Sequence, residues 1–256
     1  MLKNQRHTQI LEILKRDGFA EVRYLGQVLY ASQPTIRRDL DLLEKSGYIK
    51  RSHGGAMLSD NKTNAPISFR RGSNTKEKSQ ICRLAAKLIK NGDLIFTDAS
   101  TTASHLAEYI QKKDNLTVVT NGYTICGLLS EKDVRVFSTG GRLIKSSMAF
   151  VGAQAEDTIR RYNADILFFS SSSLDEYGNI SDYSEEETAL RIAMKNGAKT
   201  SVFLCDSSKF NRSSAFKEFS LSEIDYVITD QPLSASIVKD NALTLIESNE
   251  AYMYKK

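Results

Sequence analysis

The sequence predicts an α/β protein in two parts, a small part over residues 1–57 and a larger part over residues 75–256. In the small part, hydrophobic residues recur at helical spacing. In the larger part, apolar strand-like runs alternate with helical stretches, which is typical of a mostly parallel sheet covered on both faces. Residues 1–57 contain ten Lys or Arg and six Asp or Glu, so all of the net charge of +4 lies there. This distribution predicts that the first part meets an anionic partner such as DNA.

The first part begins with three short elements. Residues 3–16 carry Ile10, Leu11 and Leu14 between charged residues, which predicts an amphipathic helix that ends near Gly18. Residues 19–23 alternate like a short strand, and residues 24–30 predict a second short helix. A turn at 31–32 then leads into a third helix.

The third helix has the features of a DNA-reading helix. Ser32 is a suitable N-cap, and Ile36, Leu40 and Leu43 form one buried stripe. Gln33, Thr35, Arg37 and Arg38 face away from it, and Arg, Gln and Thr are side chains that recognise base edges or phosphates in the major groove. The alternative is a solvated amphipathic helix in which Arg37 pairs with Asp41 at i, i+4.

A basic hairpin follows the third helix. Gly47 ends the helix, and residues 48–56 predict a strand–turn–strand unit. Lys50, Arg51 and His53 are expected to lie along the DNA backbone. Together these elements predict a winged helix-turn-helix that binds DNA through Ser32, Gln33, Thr35, Arg37, Arg38, Lys50, Arg51 and His53.

This part of the sequence resembles the DeoR-type transcriptional regulators. The resemblance covers three segments: Arg6…Ile10…Leu14, Ser32-x-x-Thr35-Ile36-Arg37-Arg38-Asp39-Leu40, and Leu43-Glu44…Gly47…Ile49…Arg51…His53-Gly54-Gly55-Ala56. It implies that the third helix reads an operator and that the second domain senses a metabolite. Asp39 lies beside the buried stripe of the third helix. Because a carboxylate repels phosphate, we expect Asp39 to hold an Arg side chain in place and not to contact DNA.

Residues 58–74 are polar, contain Pro and Gly, and lack periodicity, which predicts a linker. The effector-sensing domain is then predicted over 75–256. A helix is expected over 78–89, and strands over 94–97, 116–120, 134–137, 164–169, 201–205, 226–229 and 243–246.

Ligands of such a sheet bind outside the carboxyl ends of its strands, where this sequence has polar loops. A hydroxyl-rich turn that follows Asp98 opens a helix, and such a turn can bind an anion. Thr120-Asn121, Gly140-Gly141 and Asp206-Ser207-Ser208-Lys209 follow other strands. Together these loops predict a site for a phosphorylated polyol or sugar. Taken singly, the Ser and Thr residues are explained as plain N-caps and Gly-Gly as a turn, so the prediction rests on the occurrence of these loops together.

The resemblance continues into this domain, and implies a fold similar to ribose-5-phosphate isomerase and glucosamine-6-phosphate deaminase. It implies that Ser100, Thr101 and Thr102 hold the effector's phosphate, and that Asp98, Asn121, Asp175, Glu187 and Lys209 contact or frame its hydroxyls. Thr120, Gly140 and Gly141 complete the predicted effector site. Glu187 has an alternative explanation as an acid in the first turn of a helix. Residues 170–175, Ser-Ser-Ser-Ser-Leu-Asp, depart from the family's Gly-containing loop.

Other classes of site and location are disfavoured. The sequence lacks GxGxxG and GxxxxGK[ST], and its three Cys and three His are scattered, so we predict no cofactor and no metal. No apolar run approaches the ~20 residues of a membrane span, and the N-terminus lacks a signal peptide's apolar region, so a cytoplasmic protein is expected.

The leading hypothesis is a DNA-binding transcriptional regulator, a repressor of sugar or carbohydrate metabolism genes controlled by a phosphorylated sugar or related metabolite. Its partners are double-stranded operator DNA, the effector and further copies of itself as a homo-oligomer. The alternative from another class is a sugar-phosphate isomerase or deaminase with an appended DNA-binding module. A nucleic-acid-binding structural protein is disfavoured by the neutral second part.

Overall fold

The computed structural model describes residues 3–45, 48–52, 54–58, 67–110 and 113–256. Contacts divide the chain into two compact units, Met1–Ser73 and Asn74–Lys256.

The first unit is a winged helix-turn-helix. Its described elements are α1 (Lys3–Asp17), β1 (Phe19–Glu21), α2 (Val22–Val28), α3 (Gln33–Lys45), β2 (Ile49–Ser52), β3 (Gly55–Leu58) and α4 (Ile67–Gly72). The strands form an antiparallel sheet in the order β1-β3-β2, so the predicted hairpin gains β1 as a third strand. Helix α2 begins at Val22, two residues earlier than predicted.

The predicted apolar stripe of α3 forms the centre of this unit. Ile36, Leu40 and Leu43 are buried against Ile10 and Leu14 of α1, as their spacing indicates. The β1–β3 pairing depends on a glycine, because a Cβ on Gly55 would lie 2.3 Å from the carbonyl oxygen of Ala20. The wing, which is the β2–β3 hairpin, can therefore pair with β1 only when residue 55 has no side chain.

The linker predicted over 58–74 is wrong in its last part. Residues 67–72 form the helix α4, and Phe69 packs against the core of the first unit. A helix of six residues is too short to produce a recognisable hydrophobic period, which explains the error. Residues 59–66 of the predicted linker lie outside the described residues.

The second unit contains the predicted α/β sheet. Its described elements are α5 (Thr75–Ala85), β4 (Leu94–Thr97), α6 (Ala107–Ile110), β5 (Thr117–Thr120), α7 (Tyr123–Leu129), β6 (Arg135–Ser138), β7 (Arg142–Ile144), β8 (Ala149–Val151), α8 (Ala153–Arg160), β9 (Ala164–Phe169), β10 (Ser173–Leu174), β11 (Asn179–Asp182), α9 (Glu185–Asn196), β12 (Ala198–Cys205), β13 (Phe216–Ser220), β14 (Tyr226–Thr229), α10 (Ala235–Asp240), β15 (Thr244–Ser248) and β16 (Tyr252–Lys255).

The main sheet has eight strands in the order β15-β16-β14-β12-β9-β4-β5-β6. Strands β6 to β14 in this order are parallel, and β16 and β15 extend the sheet in antiparallel pairings. The chain starts at β4, adds β5 and β6 on one side, and then adds β9, β12 and β14 on the other. A crevice therefore forms at the carboxyl ends of β4 and β9, where the order reverses.

Both faces of the sheet are covered. On one face, Ile95, Val118 and Phe168 pack in a core with residues of α5, α6 and α7. On the other face, Phe96 and Phe203 pack in a core with residues of α8, α9 and α10. This arrangement explains why the strands read as apolar runs without alternation.

The sequence did not predict two small accessory sheets. One has the order β10-β11-β13, and the other pairs β7 with β8. Their strands are two to five residues long, so they carry too little pattern to be recognised from the sequence. They matter because β11 and β13 contribute carboxylates to a buried cluster.

This cluster is centred on Arg191 of α9, whose side chain is only 4 % exposed. Its guanidinium donates to Asp182 of β11 at 2.6 Å and to Asp98, directly after β4, at 3.2 Å. It also donates to Glu218 of β13, and the Glu187 carboxylate lies 3.9 Å away. One cation thus connects α9, strands β11 and β13 of the three-stranded accessory sheet, and the loop after β4.

The carboxylates of the cluster differ in their proton affinity. Burial raises the pKa of Glu218 to about 7 despite the nearby Arg191. Burial also raises the pKa of Asp98. Burial opposes ionisation of Asp182 as well, but Arg191 and the backbone N–H groups of Tyr183 and Ser184 hold the pKa of Asp182 below its ordinary value. The cluster therefore retains a proton near neutral pH.

This proton predicts a pH-dependent stability. Because the pKa of Glu218 is higher in the folded than in the unfolded chain, its contribution is full below pH ~4.5 and is lost as the pH rises through ~7. Between about pH 5.5 and about pH 8.5 the loss amounts to about 2 kcal/mol of unfolding free energy, measurable by urea unfolding of the full chain.

Glu218→Gln is the matched control, because it keeps the neutral hydrogen-bonding form at every pH. The variant is expected to have a flatter stability profile than the native chain, while the contributions of His105 and other groups are common to both. Identical slopes in the two proteins would contradict the assignment of the proton to Glu218.

Candidate functional site

The outward side of α3 carries the side chains predicted to read DNA. Gln33, Arg37 and Arg38 are exposed, and no ion pair of Arg37 or Arg38 occurs among the described residues. The Ser32 hydroxyl accepts from the backbone N–H of Thr35 at 3.4 Å, and the hydroxyls of the two residues are 2.8 Å apart. Ser32 therefore caps the helix, and the long polar side chains beyond the cap face solvent.

Asp39 is buried and holds an Arg side chain, as predicted. It accepts from Arg6 Nε at 2.5 Å and from Arg6 Nη2 at 3.2 Å, and its Oδ1 lies 3.0 Å from His7 Nε2. These contacts connect the start of α1 to the middle of α3. The carboxylate thus fixes the helix and does not face a DNA phosphate.

In the wing, Arg51 is directed toward α3. Its Nη1 donates to Asp41 at 3.0 Å and lies 3.4 Å from the Arg37 carbonyl, and its backbone N–H donates to Glu44 at 3.0 Å. Asp41 is therefore paired with the wing, not with Arg37 as the alternative interpretation of α3 required. Lys50 is exposed on β2, and the prediction for His53 falls outside the described residues.

At the carboxyl end of β4, the predicted hydroxyl-rich turn is present and buried. The Asp98 carboxylate accepts from the Ser100 hydroxyl at 2.6 Å, and the Ser100 hydroxyl accepts from the backbone N–H of Ala103 at 3.1 Å. Thr101 and Thr102 are 7 % and 0 % exposed. The turn then enters a short 3₁₀ helix that leads into α6.

Two lysines converge on this turn. Lys209, after β12, donates to Thr102 Oγ1 at 3.2 Å and to Ser170 Oγ, after β9, at 2.6 Å. Lys78 of α5 is 3 % exposed and donates to Thr101 Oγ1 at 3.2 Å. Two ammonium groups thus lie beside a helix-entering turn at the switch point of the sheet, the place where ligands of such sheets bind.

Asp206 is the acidic partner of Lys209. Its Oδ2 lies 3.3 Å from the ammonium nitrogen, and its Oδ1 accepts from Asn74 Nδ2 at 2.9 Å. Burial alone would raise the pKa of Asp206, but Lys209 and the hydrogen bonds from Ser208 and Asn74 lower it to about 2. Asp206 is therefore an anion at neutral pH.

The loops after β5 and β6 form the next part of this edge. The Asn121 amide donates to the Phe150 carbonyl at 3.1 Å, and no donor among the described residues reaches its buried Oδ1. Thr120 Oγ1 accepts from the Gly122 N–H at 2.9 Å. Gly140 and Gly141 have φ of +64° and +102°, so this turn requires glycine.

Two predicted effector residues have structural contacts of their own. Both oxygens of Asp175 accept hydrogen bonds inside the β10–β11 turn, at 2.9 Å from the Tyr177 N–H and at 2.8 Å from the backbone and amide nitrogens of Asn179. Glu187 lies in the first turn of α9, 3.9 Å from Arg191, and its N–H donates to Ser184 at 3.2 Å. Both carboxylates therefore have structural roles within their own elements.

Sequence reasoning missed Lys78, Ser170, Asn74 and Arg191 as site residues. A signal existed for Lys78, because it is spaced with Cys82 and Ala85 on the buried stripe of α5. Ser170 belongs to the serine run that departs from the family pattern. Nothing in the local sequence indicated the partners of Asn74 and Arg191, which are distant along the chain.

The described residues contain no group of three or more His, Cys, Asp or Glu that could hold a metal ion. Within the same residues, no helix is both long enough and apolar enough to cross a membrane.

Comparison with solved structures gives weak fold-level similarity. Ribose 5-phosphate isomerase A from Methanocaldococcus jannaschii matches with a TM-score of 0.42 and 16 % identity, over 54 % of this chain and 55 % of the isomerase. The translation initiation factor eIF-2B from Pyrococcus horikoshii OT3 matches with a TM-score of 0.42 and 14 % identity, over 82 % and 74 % of the two chains.

Comparison with known sequences gives much closer relatives. The glycerol-3-phosphate regulon repressor of Escherichia coli K12 is 31 % identical over 93 % of this chain and 95 % of the relative. The HTH-type transcriptional regulator GlpR of Haloferax volcanii is 34 % identical over 92 % of each chain. The HTH-type transcriptional regulator GolR of Listeria innocua is 33 % identical over 93 % and 95 %.

Family models match both parts of the chain. Residues 6–62 match the DeoR-like helix-turn-helix domain, and residues 73–231 match the DeoR C-terminal sensor domain. These matches include α3 with its exposed arginines, helix α5 with Lys78, and the loop that contains Lys209. The protein therefore belongs to the DeoR family of transcriptional regulators.

Proposed function

We propose that this DeoR-family regulator represses genes of carbohydrate metabolism and that a phosphorylated sugar or related metabolite changes its affinity for operator DNA. The observation that carries the proposal is the convergence of Lys78 and Lys209 on Thr101 and Thr102, in a chain that also presents a DNA-reading helix. The name of one relative, a glycerol-3-phosphate regulon repressor, is consistent with a phosphorylated effector.

The DNA side of the proposal rests on α3. Its buried stripe and the Arg6–Asp39 pair fix the helix, which leaves Gln33, Arg37 and Arg38 free to enter a major groove. Arg donates bidentately to guanine and Gln to adenine, which gives sequence specificity. Arg51 acts mainly by holding the wing against the helix, while Lys50 is the candidate backbone contact.

The effector side rests on charge and hydrogen-bonding capacity. A phosphate at the Ser100–Thr102 turn would meet two ammonium groups and the hydroxyls of that turn. The ionised Asp206 and the unpaired Oδ1 of Asn121 can accept hydrogen bonds from sugar hydroxyls. The site thus suits a small molecule with a phosphate at one end and hydroxyls at the other.

Operators are usually read by paired modules, so we further propose that the protein acts as a homo-oligomer in the cytoplasm, where its DNA partner is accessible.

The alternative function is a sugar-phosphate isomerase or deaminase. Asp98 and Lys209 are the groups that could move protons in such a reaction. However, the Asp98 carboxylate is held by Arg191 and Ser100, and Lys209 is paired with Asp206. Groups fixed in ion pairs are suited to binding, so we propose a sensor without turnover.

We also infer how effector binding is transmitted to the DNA-binding unit. Asn74, the first residue of the second unit, has φ of +53°, and its side chain donates to Asp206 and to Ser208 at 2.9 Å. An anion that draws Lys209 away from Asp206 changes the charge around a carboxylate that also holds Asn74. The chain leading from the first unit thereby responds to the effector.

Replacing either arginine on α3 tests the DNA interface. Arg37→Ala or Arg38→Ala is expected to weaken operator binding by about 1–3 kcal/mol if the side chain contacts a base, with relaxed specificity at one position. Binding to DNA flanking the protein's own gene, titrated at several salt concentrations, measures both effects. Lys15→Ala removes a positive charge elsewhere in the same unit and should change specificity at no position. Native affinity and specificity in both arginine variants would reject α3 as the recognition helix.

Removing the two threonine hydroxyls tests the effector site. The double variant Thr101→Val, Thr102→Val is expected to bind operator normally but to lose its response to sugar phosphates, because the hydroxyls that orient the lysines are gone. Operator binding with and without a panel of sugar phosphates measures the response. Thr158→Val, on the outer side of α8, is the control. A normal response of the double variant would mean that the phosphate binds elsewhere.

The same mixtures distinguish a sensor from an enzyme. We expect no conversion of ribose 5-phosphate or glucosamine 6-phosphate, and measurable product would favour the alternative function.

Asn74→Gly tests the coupling. Glycine keeps the left-handed backbone but removes the amide, so operator binding and effector binding should each persist while the effector shifts operator affinity by a smaller factor. Asn211→Gly is the matched control, because Asn211 has a similar φ of +56° and is exposed. A native coupling factor in Asn74→Gly would remove Asn74 from the route.

A further inference from the structure

Tyr30 is the most anomalous residue of the first unit. It lies in the turn between α2 and α3, its side chain is 97 % exposed, and its φ is +49°. A bulky aromatic residue rarely adopts the left-handed conformation, and an aromatic ring rarely remains almost fully in water.

The turn itself requires this conformation. The Ala31 N–H donates to the Gly26 carbonyl at 3.0 Å, and the Tyr30 N–H donates to the Gln27 carbonyl at 3.4 Å. A left-handed residue after a helix reverses the chain so that these carbonyls are satisfied, and Gly or Asn does so most easily. Three of the other five described non-glycine residues with positive φ are Asn. Tyr30 is the aromatic exception.

Packing within the unit does not compensate for this strain. The ring is too exposed to contribute to the core, whereas its neighbour Leu29 is 5 % exposed and packs there. Backbone strain of this kind concentrates at functional sites, where the side chain makes contacts that the free protein lacks. We therefore expect Tyr30 to have a partner on the same surface.

The position of Tyr30 identifies that partner. Tyr30 lies two residues before Ser32, the N-cap of α3. It lies seven residues after Arg23 and three residues after Gln27, and the side chains of Arg23 and Gln27 are exposed. In a helix-turn-helix, the first helix crosses the DNA backbone and the N-terminal residues of the second helix enter the major groove. The turn between them consequently lies beside the sugar-phosphate backbone.

We propose that Tyr30 is a further DNA contact, in which its phenol O–H donates to a phosphate oxygen at the edge of the groove entered by α3. Tyr hydroxyls are established donors to DNA phosphates, and such contacts set the register of the protein on the duplex. This inference rests on the proposed DNA-reading function of α3.

A neutral donor has a distinctive signature. A Lys or Arg at a phosphate releases counterions, so its removal lowers the slope of log K against log salt by about 1. Loss of the Tyr30 hydroxyl should lower affinity at every salt concentration without changing this slope. The backbone strain adds a second signature, because a residue that fits the turn better should stabilise the unit while it weakens DNA binding.

The test compares Tyr30→Phe and Tyr30→Gly with the native full-length chain. Tyr30→Phe is expected to bind operator several-fold more weakly, with an unchanged salt slope and an unchanged unfolding temperature. Tyr30→Gly is expected to bind at least as weakly as Tyr30→Phe and to unfold at a higher temperature. Tyr177→Phe, which alters a 71 % exposed tyrosine of the second unit, should bind operator as the native chain does.

Each outcome decides one point. Native affinity in both Tyr30 variants overturns the inference, and weakening only in Tyr30→Gly overturns the hydroxyl–phosphate contact. Arg37→Ala in the same assay separates this inference from the proposed function. If Arg37→Ala binds weakly and the Tyr30 variants bind normally, only the role of Tyr30 is rejected. If all three bind normally and Arg38→Ala does too, the recognition role of α3 is rejected with it.

Discussion

The second unit depends on one buried guanidinium. Arg191 connects α9 to Asp182 on β11, Glu218 on β13 and Asp98 after β4, so a single side chain fixes the accessory sheet above the edge of the main sheet. Burying these charges costs solvation free energy, and removing one partner from such a cluster leaves another charge uncompensated. The cluster therefore contributes more to fixing one arrangement of these elements than to the net stability of the fold. The proposed effector site depends on the same cluster, because Asp98 also accepts from Ser100.

The first unit uses the same device on a smaller scale. Asp39 sits on the DNA-reading helix, where an unpaired carboxylate would repel phosphate, and Arg6 and His7 of α1 hold it from behind. Arg51 of the wing likewise forms an ion pair with Asp41. With Asp39 and Asp41 of the helix engaged by cations from other elements, Arg37 and Arg38 need not pair with them. The exposed surface of α3 thus keeps its positive charge because Asp39 and Asp41 are neutralised by side chains of other elements.

The separation of interacting residues along the chain explains which parts of this structure the sequence predicted. The period of Ile36, Leu40 and Leu43 and the apolar runs of the parallel strands are local patterns, so they identified α3 and the main sheet. The loops at strand ends were predicted because parallel topology brings them to one edge, which places Asp98, Thr102 and Lys209 together. Arg191 and Asn74 were missed because their partners lie up to 134 residues away, and hydrogen bonds at that separation leave no periodic signal.

The interlocked charges also bear on the proposed function of the second unit as a sensor without turnover. A catalytic acid or base must exchange its proton during each turnover, whereas Asp98 is tied to Arg191 and Asp206 is held ionised by Lys209, Asn74 and Ser208. Moving a proton at either position would disturb ion pairs on which neighbouring elements depend. The same connections mean that an anion binding at Lys209 redistributes charge among groups that reach α5, β12 and the start of the unit. A site in which charges are structural therefore converts ligand binding into conformational change more readily than into chemistry.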